Sequence, residues 1–519
     1  MSVKLKNNIV STFKMHGLTL KGDATKYLHD VLSNMGADDQ NEHLEKLIES
    51  IQKLPLESPV IGREHCELSI ADINHETSDE NLEVFKVTDV FSIPHFTYNN
   101  ETKKFTISKV EKSLAPDSSW KIKLFLDRYN IIHQRTIRHD LFAPSYLLNA
   151  REGANKFELK TLDYLLGSTT KLGDVIVLGM LTQLKEGVWY LEDPTGVVKL
   201  NLSKTNFHTG LFTENSFVLA GGCYDDEIFH VNALGFPPPE TSAVSRQFLG
   251  NINLFGGSAE LNSNELARLK QLEMEDDNAM FVFISDLWLD DNKVMQKLRT
   301  LFDGYSPTPP SCFVFAGNFL SRAYGHEHLK VLKEAFETLA DLIADFPSIN
   351  ETSRFLFIPG PQDPGPCPIL PRPGIPAFIH EPVMKKVSNC IFASNPCRLR
   401  YYSQEIVIFR EDIIVKMCRN CLRYPNDNNI PNHFVKTMVC QSHLCPLPLH
   451  VEPIFWSYDN ALRLYPLPDL IVCCDRFDPY TISQSDCCVT NPGSFPRSEF
   501  SFKVYWPSSK KVEDSKIFS

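Results

Sequence analysis

Three stretches of this chain, Met280-Phe-Val-Phe-Ile284, Cys312-Phe-Val-Phe-Ala316 and Phe355-Leu-Phe-Ile358, are apolar at every position. A strand with one wet face alternates apolar and polar residues, so unbroken apolar runs predict strands buried on both faces, as in a sheet covered by helices. Segments between the runs, such as 329–346, carry helical spacing, which completes an α/β layered domain. Each run ends in a polar loop: Ser285-Asp286-Leu287-Trp288, Gly317-Asn318-Phe319-Leu320 and Gly360-Pro361-Gln362-Asp363. Loops at the carboxyl ends of neighbouring strands converge on one edge, where α/β enzymes assemble their sites.

With 519 residues the chain is too long for a single core. Ahead of the layered domain, residues 174–236 read as short alternating strands at 175–182, 188–191, 197–202, 217–220 and 228–231, with Asp193-Pro-Thr-Gly196 suited to a tight reversal. Five strands at this spacing predict a small barrel of OB type. Near the N-terminus Ala24, Tyr27, Leu28, Val31, Leu32 and Met35 recur at helical spacing, with Asp23 as N-cap and Gly36 past the end. A second stripe, Leu44, Leu47, Ile48, Ile51 and Leu54, ends at Pro55. The expected fold class is multidomain α+β: a helical domain over 1–75, a linker over 76–110, the barrel with its flanking segments over 111–260, and the α/β domain over 270–519.

A net charge of −12 disfavours unassisted binding to a phosphate backbone, which is driven by counterion release at clustered Lys and Arg. Residues 175–236 hold three lysines against seven acidic residues, so the barrel is a poor platform for single strands, and Trp189, Tyr190 and Phe207 are assigned to its core or to a protein interface. The 14 cysteines are scattered through a large chain, which predicts free thiols in a reducing compartment and no disulfides. No apolar run is long enough to cross a membrane and no signal-peptide core is present, so a soluble, unsecreted protein is expected. Cys418-Arg-Asn-Cys421 and Cys440-Gln-Ser-His-Leu-Cys445 raise a zinc knuckle, but the first pair continues the apolar stripe of Ile413, Ile414 and Met417, and packing is the expectation. The proline-dense run from Pro359 to Pro376 is expected to be an irregular loop within the domain.

The order of the polar loops resembles the calcineurin-like metallophosphoesterases, whose strand ends carry Asp-x-His, Gly-Asp-x-x-Asp and Gly-Asn-His-Asp or Glu, then a lone His and Gly-His-x-His. Such a site clamps two metal ions that activate water, and it needs imidazoles and carboxylates around a bridging Asp. Fitted to that pattern, Asp286 keeps its identity, but Trp288 stands for the first His, Asn318 for the bridging Asp, and Pro361 and Gln362 for the Asn and His before Asp363. His443 fits the lone His, and Asp475 and Phe477 fall where the last two His belong. An indole, a proline ring and a carboxamide cannot neutralise two divalent ions. The resemblance therefore implies a domain with no catalytic residues, no metal and no cofactor, with Asp286 bracing a loop and His443 hydrogen-bonded as a structural residue.

A degenerate domain of this kind behind an OB barrel is similar to the B subunits of replicative DNA polymerases. Leu178-Gly-Met-Leu-Thr-Gln-Leu184, Tyr190-Leu-Glu-Asp-Pro-Thr-Gly196, Phe357-Ile-Pro-Gly-Pro-Gln-Asp-Pro364, Pro431-Asn-His-Phe-Val-Lys-Thr437, Tyr465-Pro-Leu-Pro-Asp-Leu470 and Asn491-Pro-Gly-Ser-Phe-Pro-Arg497 resemble the epsilon branch. Phe13-Lys-Met-His-Gly-Leu18 with Tyr27-Leu28 resembles that branch's N-terminal domain, itself similar to the helical lid of AAA+ ATPases. This resemblance implies a nuclear scaffold that holds the cysteine-rich C-terminal region of the DNA polymerase epsilon catalytic subunit. Residues 1–75 would reach the GINS part of the CMG helicase, the small histone-fold subunits would be met indirectly, and DNA would be bound weakly or through the complex. The alternatives are an active metal-dependent phosphoesterase or exonuclease built from Asp286, Asp363, His443 and Asp475, and a single-strand DNA binder using the barrel.

Overall fold

The computed structural model describes residues 3–32, 44, 47–48, 51, 60–63, 65–66, 69, 83–108, 110–143, 157–249, 252–255, 263–366 and 368–517. They divide into two compact units, one mainly within residues 1–83 and one carried by 84–261 and 268–519. In the first, helices Val3–Met15 and Gly22–Leu32 bury Ile9, Phe13, Ala24 and Leu28, and Leu44, Leu47, Ile48 and Ile51 are buried with them. Asp23 lies in the first turn of its helix, accepting from the Ala24 N–H at 2.9 Å, so the helix starts two residues earlier than the capping signal suggested. Met35, Gly36, Leu54 and Pro55 fall outside the described residues.

The barrel is built from strands Leu172–Lys185, Val188–Asp193, Gly196–Asn201, Phe217–Asp225 and Ile228–Gly235. Antiparallel pairings join neighbours, and a parallel pairing of Ile228–His230 with Lys199–Asn201 closes the cylinder, removing the open edges a five-stranded sheet would expose. At the reversal after Asp193, its Oδ1 accepts from the Thr195 and Gly196 N–H groups, which holds the turn. Trp189 and Phe207 pack against the barrel core.

The remaining mass is a sandwich of two six-stranded sheets. One contains Phe281–Ser285, Cys312–Ala316 and Arg354–Ile358 as adjacent parallel strands, and the other contains Cys397–Tyr401, Gln404–Phe409 and Leu470–Cys473. Alternate residues of one strand feed different layers: Phe281 and Phe283 face the second sheet, whereas Val282 and Ile284 face helices Asn292–Tyr305 and His328–Ala344. That double burial explains the unbroken apolar runs.

Residues 85–107, assigned to a linker from sequence, instead belong to this body. Phe85–Thr88 pairs antiparallel with Arg398–Tyr401 as an edge strand, and Phe96–Asn99 forms a hairpin with Lys104–Ile107. A strand of four residues is too short to show its period in sequence; its pairing partner lies some three hundred positions away.

Barrel and sandwich meet along two helices. On Ile430–Gln441 the side chains at i, i+4 and i+8 share one face. His433 Nδ1 accepts from Gly210 N–H, Thr437 Oγ1 accepts from Leu211 N–H, and the Gln441 amide pairs with both backbone groups of Phe217, all at 2.8 Å. The second helix, Ser119–Arg138, places Ile132 against barrel residues Leu178, Met180 and Phe217 and Ile131 in the apolar layer over the outer face of the second sheet.

Candidate functional site

Because Phe281, Cys312 and Arg354 stand in parallel register, the loops that follow their strands leave the sheet side by side. Asp286 begins the first loop at φ +56°, a left-handed conformation that Asp tolerates better than branched residues. It is buried, and guanidinium groups take both its oxygens: Arg410 Nη2 donates to Oδ1 at 2.8 Å and Arg476 Nε to Oδ2 at 3.0 Å. Burial by itself would raise this carboxyl, and the two arginines more than offset it, leaving Asp286 below the usual carboxylate range. Arg410 also donates through Nη1 to Asp412 at 2.8 Å and through Nε to the Gly317 carbonyl.

Asn318 stitches the first loop to the third. Its N–H and Nδ2 donate to Asp286 Oδ1 at 3.2 and 3.3 Å, and its Oδ1 accepts from Gln362 N–H at 2.8 Å. A carboxylate here could not donate and would set a second negative charge against Asp286. Asp363 spends its oxygens on backbone: Oδ1 accepts from Phe319 N–H at 2.9 Å and Oδ2 from Gly360 N–H at 2.8 Å. Burial pushes its pKa up to about 6. The close approach explains two glycines, since a Cβ on Gly317 would lie 1.8 Å from Asp363 Oδ2 and one on Gly360 2.5 Å from Asn318 Oδ1.

The other fitted positions have separate duties. Trp288 packs on the outer apolar layer with the Arg497 guanidinium 5.4 Å from its ring centre. Pro361 lines a cavity of about 300 Å³ beside Asp363, and the Gln362 side chain is exposed. Asp475 Oδ2 accepts from Ile413 and Ile414 N–H at 2.7 and 3.0 Å, bonding the first turn of helix Ile413–Asn420, and burial raises its pKa to about 6. Phe477 packs against the core beneath.

The structure thus brings Asp286, Asn318, Gln362 and Asp363 together. Asp475 reaches the group only through its neighbour Arg476, whose N–H donates to Asp412. His443 hydrogen-bonds with none of them. Its Nδ1 accepts from Cys445 N–H at 3.0 Å, and its Nε2 lies 3.2 Å from Asp459 Oδ1 and 3.1 Å from Arg128 Nη2. Asp459 in turn pairs with Arg128 and Arg463, and Arg463 with Asp127, a buried set of two cations and two anions. Burial first, then the Arg128 charge, lower the His443 pKa to about 4, so the imidazole is neutral. Among the described residues no group of three or more His, Cys, Asp or Glu is arranged to hold a metal ion.

Arg410 and Arg476 are the site residues that sequence reasoning missed. Each directly follows a recognisable feature, the apolar strand Gln404–Phe409 and the fitted Asp475, and a signal was available: a carboxylate at the end of a buried strand needs a cation or hydrogen-bond donors around it.

Comparison with known proteins agrees with this geometry. The family model describing the B subunit of DNA polymerases alpha and epsilon matches residues 281–482, an OB-fold domain of the DNA polymerase epsilon subunit 2-like type matches 118–238, and a DNA polymerases epsilon N-terminal model matches 1–73. The human protein named DNA polymerase epsilon subunit 2 is 50% identical over 521 residues, and the bovine one 49% over 520, each match covering 99% of both chains. The Drosophila melanogaster protein of that name is 39% identical over 517 residues, 99% of this chain and 98% of its own. Similar over nearly its whole length to these relatives, the chain belongs to the DNA polymerase epsilon subunit 2 family.

Proposed function

We propose that this chain is the non-catalytic accessory subunit of nuclear DNA polymerase epsilon and acts in replication as a scaffold. The observation that carries the reading is the capture of both Asp286 oxygens by Arg410 and Arg476, which supplies from protein the positive charge that a phosphoesterase takes from metal. Asn318 and Asp363 are likewise committed to amide hydrogen bonds. What the fold retains is a rigid pair of domains locked by helices 119–138 and 430–441, a surface suited to holding a partner. In this reading the barrel and sandwich grip the cysteine-rich C-terminal region of the catalytic subunit, while residues 1–75 reach the GINS part of the CMG helicase. The histone-fold subunits are met through the holoenzyme.

The test is co-purification of the full chain, and of a form lacking residues 1–75, with that C-terminal region and with GINS. Truncation is expected to leave polymerase binding intact and to weaken capture of GINS. Loss of polymerase binding in the truncated form, or undiminished GINS capture, contradicts the assignment.

A further inference from the structure

Between helix Asn292–Tyr305 and strand Cys312–Ala316 the chain runs through Ser306-Pro-Thr-Pro-Pro-Ser311, at the amino edge of the sheet and opposite the loops that gather around Asp286. Among the described residues a Ser or Thr precedes proline only here, at Ser306 and at Thr308. The fold treats the two hydroxyls differently. Ser306 is half-buried, and its Oγ lies 3.0 Å from Ser348 Oγ, which donates to the Ser306 carbonyl at 3.1 Å. A hydroxyl has one proton, so Ser348 spends its own on that carbonyl and the Ser306 proton lies between the two oxygens. Thr308 is exposed, its N–H donates to the Tyr305 carbonyl at 3.1 Å, and its hydroxyl has no protein partner among the described residues. Pro309, next in the chain, disfavours a helical Thr308 and offers no N–H of its own. Beyond it the backbone is anchored, with Ser353 Oγ donating to the Pro310 carbonyl at 2.6 Å and Ser311 N–H to the Met280 carbonyl at 2.9 Å. Beside the loop, Arg354 N–H donates to the Ser311 carbonyl at 3.1 Å, and its guanidinium lies 4.7 Å from the Phe85 ring centre with no ion pair among the described residues.

We infer that Thr308 is a phosphorylation site for a proline-directed protein kinase, and that Ser306, two residues away, is not. Phosphoryl transfer is chiefly a matter of positioning, so the accepting hydroxyl has to be within reach and uncommitted, and of the pair only Thr308 is both. Its Oγ1 attacks the γ-phosphorus of ATP. The new O–P bond forms as the bond to the oxygen bridging the β- and γ-phosphorus breaks, ADP leaves, and the hydroxyl proton passes to the catalytic aspartate of the kinase. The product carries about two negative charges and three acceptor oxygens on a loop whose neighbouring cation, Arg354, is without an anion. The inference goes beyond the scaffold reading and does not depend on it.

The full-length protein is incubated with magnesium ATP and a kinase of the cyclin-dependent class, beside a peptide of residues 302–313 that lacks the Ser348 contact, and phosphate is located by fragmentation mass spectrometry. In the folded protein Thr308 is expected to be labelled at least roughly tenfold faster than Ser306, a preference that the peptide should largely lose because its Ser306 hydroxyl is released. Thr308→Val should remove the main phosphopeptide with melting unchanged, and Ser306→Ala should leave it in place. Protein recovered from dividing cells with phosphatases inhibited should carry the same phosphopeptide. A folded protein that stays unlabelled while the peptide is labelled, equal labelling of Ser306 and Thr308 in the folded protein, undiminished labelling of Thr308→Val, or absence of the phosphopeptide from the cellular protein would each overturn the inference.

Discussion

Two buried ionic clusters in this molecule use the same residue types for different ends. The cluster of Asp286, Arg410, Arg476 and Asp412 draws all its members from the sandwich, at the edge where the loops after its parallel strands converge. The cluster of Arg128, Asp459, His443, Arg463 and Asp127 takes two members from helix 119–138, which packs on the barrel, and three from the sandwich. The first neutralises the carboxylates of converging loops; the second joins domains. His443, fitted from sequence to the loop group, belongs instead to the joining cluster, so the origin of the contributing elements, more than the chemistry of the side chains, separates what the two clusters do.

The largest effect should come from the joining cluster. Arg128→Met leaves Asp459 with Arg463 as its one cation beside the neutral His443, and breaking a buried pair from one side costs about 3–5 kcal/mol, read by urea unfolding. Faster amide exchange should spread along 119–138; a loss under about 1 kcal/mol would erase the distinction between the clusters. Arg410→Met should cost about 3 kcal/mol, with faster exchange confined to the loops after residues 285, 316 and 358, and Asp286→Asn added to it, which suits the same left-handed backbone, should restore most of the loss because the carboxylate that lost its cation is then gone. Additive losses in the double variant would mean the pair is not coupled.

A pH series separates the clusters further. The folded His443 pKa of about 4 lies below the ordinary 6.5, so the unfolded chain binds more protons between these values and stability falls as pH drops from about 6.5 towards 4. His443→Gln should lack this leg, a difference approaching ~3 kcal/mol at the acidic end. Asp363 and Asp475, raised by burial to about 6, act in the opposite sense, which is why variant and parent are compared at each pH. Identical profiles would show that His443 is not held neutral. The smallest effect belongs to joining helix 430–441: Gln441→Ala removes two hydrogen bonds to Phe217 and should cost about 1–2 kcal/mol in the same unfolding measurement.

Much of this was legible because burial on both faces leaves a plain mark. The runs at 280–284, 312–316 and 355–358 emerged as adjacent parallel strands, and the alternating segments from 175 to 231 closed into a barrel. Asp286, Asn318 and Asp363 could be placed together because strand ends of one sheet share an edge. Partnerships between distant segments were not legible: Phe85–Thr88 becomes a strand by pairing with Arg398–Tyr401, and Arg410 meets Asp286 across 124 positions. Periodicity reports the environment of a segment and carries no information about which remote segment supplies it.

The replacement of metal by guanidinium is tested most directly by metal content. Full-length protein purified from cells grown with added manganese, then passed through a desalting column, should carry less than about 0.1 equivalent of manganese, iron or zinc, and Arg410→Met should not raise this, because imidazoles are missing from the positions of Trp288, Gln362 and Phe477. About two equivalents of tightly held metal in the unmodified protein would contradict the account, since Asp286 is already neutralised by two guanidinium groups and Asn318 offers no bridging carboxylate.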